Sequence, residues 1–133
     1  MPVPEELVAT VVSEVSDKMA DPTYAQVAIG NFAQAHPDVG RYITAHLEEL
    51  GGGEGVMHAV FHAEVIHVCY QRHLGRHLRP VGFGELDEAS QGDVVATLHD
   101  RQPAIAGYLA SNVETEAMRA LLALVALAMS NVT

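Results

Sequence analysis

The sequence predicts an all-α protein folded as a compact bundle of about six to seven helices. Apolar residues recur at spacings of three and four along most of the chain, as on one face of a helix. No segment alternates with a period of two, and proline and glycine divide the chain into pieces of helical length. At 133 residues, the chain is expected to form a single helical domain over residues 1–133.

The helix boundaries are predicted from capping residues. Pro4 and two acids open the first helix, and Asp21 is a predicted N-cap with Pro22 at the first helical position. His36-Pro37 repeats this punctuation. We predict helices over about 4–20, 22–35, 37–50, 54–78, 92–101, 103–113 and 114–130. The glycine-rich segment 51–55 is interpreted as a flexible break, and 79–93 as a connector in which ELDEASQ is a candidate helix start.

An internal repeat is suggested at an offset of 66 residues. The pairs Pro37 and Pro103, Tyr42 and Tyr108, and Glu48 and Glu114 then coincide, in the same order of punctuation. After a gap of five residues, segment 57–66 aligns with 118–127. We therefore predict two three-helix units, 22–75 and 86–130, related by a pseudo-two-fold axis and preceded by an N-terminal helix; chance similarity is the alternative.

The third helix of each unit is apolar on almost every side, which is typical of a buried, central helix. We expect these two helices to pack on each other, with Phe61 in one against Leu122 in the other. A bundle this small is expected to leave part of such helices uncovered. Since large exposed apolar patches usually mark contact surfaces, the sequence predicts a homodimer.

The segment HAVFHAEVIHVCYQRHLGRH at 58–77 holds five of the eight histidines and the only cysteine. On a helical wheel His58, His62, Cys69 and His73 share one narrow face. One metal ion cannot reach all four, so the candidates for half of a divalent-metal site are the i,i+4 pairs His58/His62, Cys69/His73 and His73/His77. The remaining ligands would come from other helices, where the candidates are His36, Asp38, His46 and His99. The alternative interpretation is that these histidines are structural residues of the helix.

Known cofactor motifs are absent from the sequence. Glu64 and His67 form one Glu-x-x-His, but a di-iron bundle needs a second and none exists. There is no His-Glu-x-x-His for zinc and no Cys-x-x-Cys-His for covalent haem. Cys69 lies among apolar residues in mid-helix, where a cysteine is usually an inert hydrophobe. The sequence therefore offers no catalytic constellation, and a haem held by one histidine is left open.

The composition narrows the classes of partner. The chain carries 17 acidic residues against 7 Lys and Arg, a net charge of −10, and this field repels phosphate backbones and anionic lipids. The first residues lack the basic region of a signal peptide, and the longest apolar run is about half a membrane span. We expect no nucleic-acid partner, no membrane span and a cytoplasmic location.

These observations favour a non-enzymatic soluble protein that acts through protein–protein contacts. The alternative is a metal- or haem-binding helical protein that uses the histidine-rich helix 54–78. No substrate, ligand or pathway follows from the sequence.

Overall fold

The computed structural model describes residues 2–133 and contains eight α-helices and no strand within that range. This confirms the all-α prediction, with one helix more than the predicted range. The helices are α1 (Glu5–Met19), α2 (Pro22–Ala35), α3 (Pro37–Ala45), α4 (Gly53–Leu74), α5 (Phe83–Ala89), α6 (Val94–Arg101), α7 (Pro103–Asn112) and α8 (Glu116–Asn131).

Side-chain caps account for three of the eight helix starts in the described range. The Asp21 side chain accepts a hydrogen bond from the Thr23 N–H at 2.9 Å, as the sequence predicts for an N-cap. Asp93 accepts from the Ala96 N–H at the start of α6, and Thr115 accepts from the Met118 N–H at the start of α8. These side chains satisfy donors that a helix leaves without an intrahelical partner.

The third predicted helix is too long. It ends at Ala45, and residues 46–50 form turns instead. His46 supplies the reason, because its Nδ1 hydrogen-bonds to the Tyr42 carbonyl at 2.8 Å. That carbonyl would otherwise accept the His46 N–H in an α-helix, and this N–H binds the Ile43 carbonyl instead.

The histidine-rich helix is also shorter than the predicted 54–78. It ends at Leu74 because Gly75 adopts the left-handed conformation, with φ 70°, and its N–H binds the Gln71 carbonyl. The connector 79–93 contains α5, whose Leu86 and Ala89 are buried where α5 packs on α8. ELDEASQ therefore lies mostly within a helix rather than at its start.

Helix α8 is the centre of the molecule. Every residue from 121 to 129 is buried, and α4, α5, α6 and α7 surround it. The Tyr70 hydroxyl on α4 donates to the Ala126 carbonyl on α8 at 3.0 Å, which joins the two long helices inside the core. A single chain thus covers α8 from 121 to 129, so the premise from which the homodimer was predicted is wrong for this helix.

The glycine-rich segment is a packed corner rather than a loose break. Gly51 and Gly52 have φ of 89° and 92°, a region that side chains disfavour. At Gly55 an added Cβ would lie 1.7 Å from the Leu50 carbonyl oxygen. The segment needs glycine at these positions to bring the start of α4 back against Leu50.

The two halves of the chain place helices in similar contacts. Helix α2 packs on α3 and α4, as α6 packs on α7 and α8, and α4 contacts α8 as expected. The corner residues agree in backbone conformation: φ is −134° and ψ is 69° at His36, against −136° and 70° at Gln102. Helix α1 contacts α7, and α5 contacts α3. The first helix of each half (α1 of α1–α4, α5 of α5–α8) therefore packs on a helix of the other half. The duplication of 22–75 in 86–130 stays a prediction that these contacts favour.

Among residues 2–133, none of the helices combines the length and the apolar character that crossing a bilayer requires.

Candidate functional site

The structure places two of the four predicted metal-binding residues in one cleft and the other two outside it. His58 is exposed and His62 is half-buried, and both line a cleft of 660 Å³ between the first turns of α4 and the α7–α8 corner. Cys69 is 1% exposed in the core, and His73 lies further along α4. Within residues 2–133 no group of three or more His, Cys, Asp or Glu side chains is arranged to hold a metal ion. No i,i+4 pair of this helix is therefore completed by a third ligand among the described residues.

His62 is held by a tyrosine from the opposite half. Its Nδ1 lies 2.6 Å from the Tyr108 hydroxyl on α7. Burial lowers the pKa of His62 to about 4, with a smaller contribution from His58, and burial raises the pKa of Tyr108. Both groups are therefore neutral at neutral pH, and the hydrogen bond orients the imidazole in the wall of the cleft.

The remaining walls of this cleft are of mixed polarity. They comprise Leu50, Gly51, Glu54, Gly55, Phe61, Asn112, Val113, Glu114, Thr115 and Met118. The cleft thus combines two carboxylates with two histidines, and no Lys or Arg side chain is among the described residues that line it. Its chemistry disfavours anionic ligands.

Cys69 is unsuited to either metal ligation or nucleophilic attack. Burial raises the pKa of its thiol to about 12, so the side chain is a protonated thiol at neutral pH. The thiolate is the form that binds metals and attacks electrophiles. Cys69 belongs to the hydrophobic core, with Ile66 and Tyr70 in the same buried cluster.

A second group of titratable residues lies inside the protein. His36, at the α2–α3 corner, is 0% exposed, and His67 on α4 is 7% exposed. Their rings meet edge to face with centroids 4.7 Å apart, and the ring of Phe32 lies 5.5 Å and 6.0 Å from them. Two buried nitrogens, His36 Nε2 and His67 Nδ1, have no hydrogen-bond partner among residues 2–133, which is rare for polar atoms in a protein interior.

Glu64 completes this buried cluster. Its Oε1 lies 3.9 Å from His67 Nδ1, beyond hydrogen-bonding distance. Burial raises the pKa of Glu64 to about 7, and burial lowers the pKa of His67 to about 4, with smaller effects of His36 and His77. Because burial favours the neutral form of both side chains, they are not an ion pair near pH 7.

The sequence did not bring His36 and His67 together. From the sequence, His36 is a candidate ligand for the face of α4 that carries His58, and His67 is part of a Glu-x-x-His motif. One signal pointed to the corner, however. At the proposed repeat offset His36 aligns with Gln102, and both are polar residues placed directly before a proline. A polar residue kept at such a corner indicates a hydrogen bond to be satisfied.

An apolar groove lies between α2, α3 and the start of α4. Its volume is 720 Å³, and Phe32 forms part of its floor. The other lining residues are Ile29, Ala33, Pro37, Gly40, Arg41, Thr44, Ala45, Val56, Met57 and Val60. Arg41 is the single charged residue among them, and it is paired with Asp38 at 3.2 Å. Met57 is 56% exposed and lies beside the other apolar residues of the groove, so it adds to a continuous apolar surface.

Comparisons of the chain with protein-family models, curated proteins and solved structures gave no match.

Proposed function

We propose that the protein is a non-enzymatic binding module, and that the groove between α2, α3 and α4 receives an amphipathic helix of another protein. The exposure of Met57 beside a 720 Å³ apolar groove carries this proposal. Helices bind such grooves by burying side chains at positions i, i+3, i+4 and i+7. Methionine suits this use because its flexible, polarizable side chain adapts to different apolar surfaces.

The charge of the chain favours a basic partner. At net −10, the protein attracts Lys and Arg side chains and repels a second copy of itself. The net negative charge of the chain would attract Lys or Arg on the polar face of the bound helix while its apolar face enters the groove. This makes a basic, amphipathic helix the preferred occupant, and the homodimer predicted from the sequence becomes the competing one.

Metal or haem binding is the less favoured function. His58 and His62 lie together in a cleft, but His62 also binds Tyr108, and Cys69 is a buried thiol. No described residues add the third ligand that a stable zinc site needs.

The test uses two synthetic peptides of about 18 residues that share one apolar helical face and differ in polar-face charge, one with Lys and one with Glu. Their binding is measured by fluorescence anisotropy with the wild type, with Met57→Gln, and with Val95→Gln as the matched control. Val95 is 47% exposed on α6, away from the groove. We expect saturable binding of the Lys peptide, weakened about tenfold by Met57→Gln and unchanged by Val95→Gln.

Two results would contradict the proposal. Equal binding by Met57→Gln and the wild type would place the peptide elsewhere. A species of twice 14.2 kDa in light scattering of the wild type, lost in Met57→Gln, would show that a second copy occupies the groove.

A further inference from the structure

A hydrogen bond between the α2–α3 corner and the α4–α5 connector depends on the protonation of one histidine. The Val81 N–H donates to His36 Nδ1 at 3.1 Å, across 45 positions of sequence. His36 is 0% exposed and Val81 1% exposed, so neither group has water as a substitute partner. This bond joins the α2–α3 corner directly to the α4–α5 connector, which is defined here as residues 75–82, the loop between the two helices.

The bond fixes the protonation state of His36. A ring nitrogen accepts a hydrogen bond only when it carries no proton, so the proton of the neutral ring lies on Nε2. On protonation Nδ1 also becomes a donor and faces the Val81 N–H, which is a donor too. The bond is then lost, and a positive charge is left in a buried site. We propose that His36 and Val81 form a proton-controlled latch, which holds the connector 75–82 against the α2–α3 corner and releases it when His36 is protonated.

The groups around the latch do not stabilise a protonated His36. On α4 the neighbours are His67, whose ring is 4.7 Å away, and Glu64 beside it; on α2 the ring of Phe32 lies 5.5 Å away. The connector contributes His77, whose electrostatic interaction with His67 lowers the pKa of His67. Burial lowers the pKa of His36 itself.

The acids of the neighbouring helices are already paired. Asp38 on α3 and Glu85 on α5 lie near Gly82, the residue after Val81. Asp38 is paired with Arg41, and Glu85 with Arg79, each at 3.2 Å. Since Glu64 has a pKa of about 7, it too loses its charge as the pH falls. Among the described residues, an imidazolium at His36 therefore has no unpaired buried anion beside it below pH 7, and movement of the connector into water relieves the burial of the charge.

An equivalent hydrogen bond at the α6–α7 corner has no titratable group. At the α6–α7 corner Gln102 has the backbone conformation of His36, and its Oε1 accepts from the Val3 N–H at 2.8 Å. Gln102 is 7% exposed and Val3 is 2% exposed. An amide oxygen accepts hydrogen bonds at every pH between 4 and 8, so this bond is an internal reference for the latch.

The test is amide hydrogen exchange at Val81 and Val3, followed by NMR between pH 7.5 and 5 and corrected for intrinsic rates. We expect protection at Val81 to fall relative to that at Val3 by up to about tenfold per pH unit as one proton is taken up, because Val3 loses only the protection that follows global stability. His36→Gln keeps an acceptor and should make Val81 exchange independent of pH. Gln102→His should transfer the dependence to Val3.

The outcomes separate the latch from general acid unfolding. Equal loss of protection at both amides of the wild type would overturn the proposal, because the whole molecule would then be opening. So would a Val81 amide with constant protection in the wild type. If His36→Gln does not fold, Gln102→His decides alone: a Val3 amide that stays insensitive to pH in that variant contradicts the mechanism.

Discussion

At the scale of single residues, the histidines fall into two groups that the sequence could not separate. His58 is exposed, whereas His36 and His67 are buried against each other. A helical wheel places residues on a face but does not say which face the tertiary structure covers, and the wheel includes no residue of another helix. Their burial depends on the α2–α3 corner, which brings His36 onto α4. The sequence predicts the histidine-rich helix but not the contact between His67 on that helix and His36 at the corner.

Glu64 provides a prediction at this scale. Its folded-state pKa of about 7 is raised above the unfolded value near 4.5, so the folded state binds the extra proton and stability is lost as the pH rises through this window. Glu64→Gln removes the buried charge, and we expect it to increase the free energy of unfolding at pH 8 by about 1–3 kcal/mol, with little change at pH 5. Urea unfolding at both pH values measures this, with Glu88→Gln, an exposed acid on α5, as the control. A destabilised Glu64→Gln at pH 8 would show that the charged form is the stabilising one.

The set His58, His62, Cys69 and His73 gives a second prediction. Because the described residues offer no three-ligand cluster, we expect the melting temperature at pH 7.5 to be the same with and without a strong chelator. Differential scanning calorimetry of protein purified without an affinity tag provides the measurement. A fall of about 5 °C that one equivalent of zinc restores would reinstate the metal site, since a ligand bound only by the folded state raises stability.

At the scale of helices, periodicity and capping predicted most of the fold. Asp21, Pro37 and Pro103 mark helix starts that the structure confirms. The errors occur where a side chain or a glycine competes with the helix. His46 takes the carbonyl that would extend α3, and Gly75 ends α4 before the predicted residue 78. The Gly75 signal was present in the sequence, whereas the His46 bond is a choice between local alternatives that periodicity does not resolve.

The glycine corner before α4 yields a prediction for this scale. A methyl group at position 55 would lie 1.7 Å from the Leu50 carbonyl oxygen, so Gly55→Ala forces backbone to move. We expect a loss of about 2–3 kcal/mol in the free energy of unfolding. Gly53→Ala is the matched control, because nothing lies within 4 Å of its added Cβ and alanine favours a helix. Equal stability of the two variants, measured by urea unfolding, would refute the close packing of this corner.

At the scale of the whole molecule, the apolar surface available for association differs from the one that the sequence predicts. The apolar character of α8 predicted a surface that a second copy would cover, but four helices of the same chain surround it. An exposed apolar surface lies instead at the groove beside Met57. Sequence gives the total apolar content of each helix; how the connections wrap helices around each other decides which part stays uncovered.

The buried titratable groups together predict the pH dependence of stability. The folded-state pKa values of His62 and His67, about 4, lie below the unfolded value near 6.5, so their contribution is complete above pH 6.5 and is lost as the pH falls toward 4. His36 shifts in the same direction, and Glu64 opposes them with one proton. We expect the free energy of unfolding to fall between pH 6.5 and 4.5 by about 1–2 kcal/mol per pH unit on average. Urea unfolding across this range measures the slope, and a flat profile would mean that these histidines are not desolvated.

The central claim is that the groove between α2, α3 and α4 binds a basic amphipathic helix, and the methionine methyl groups test it most directly. Met57 lies at the groove, Met118 lines the histidine cleft, and Met129 is buried in α8. In methyl NMR with the Lys-faced peptide, we predict a saturable shift of the Met57 signal while the Met118 and Met129 signals stay in place. A shift at Met118 with an unchanged Met57 would contradict the claim and transfer the binding site to the His58 and His62 cleft.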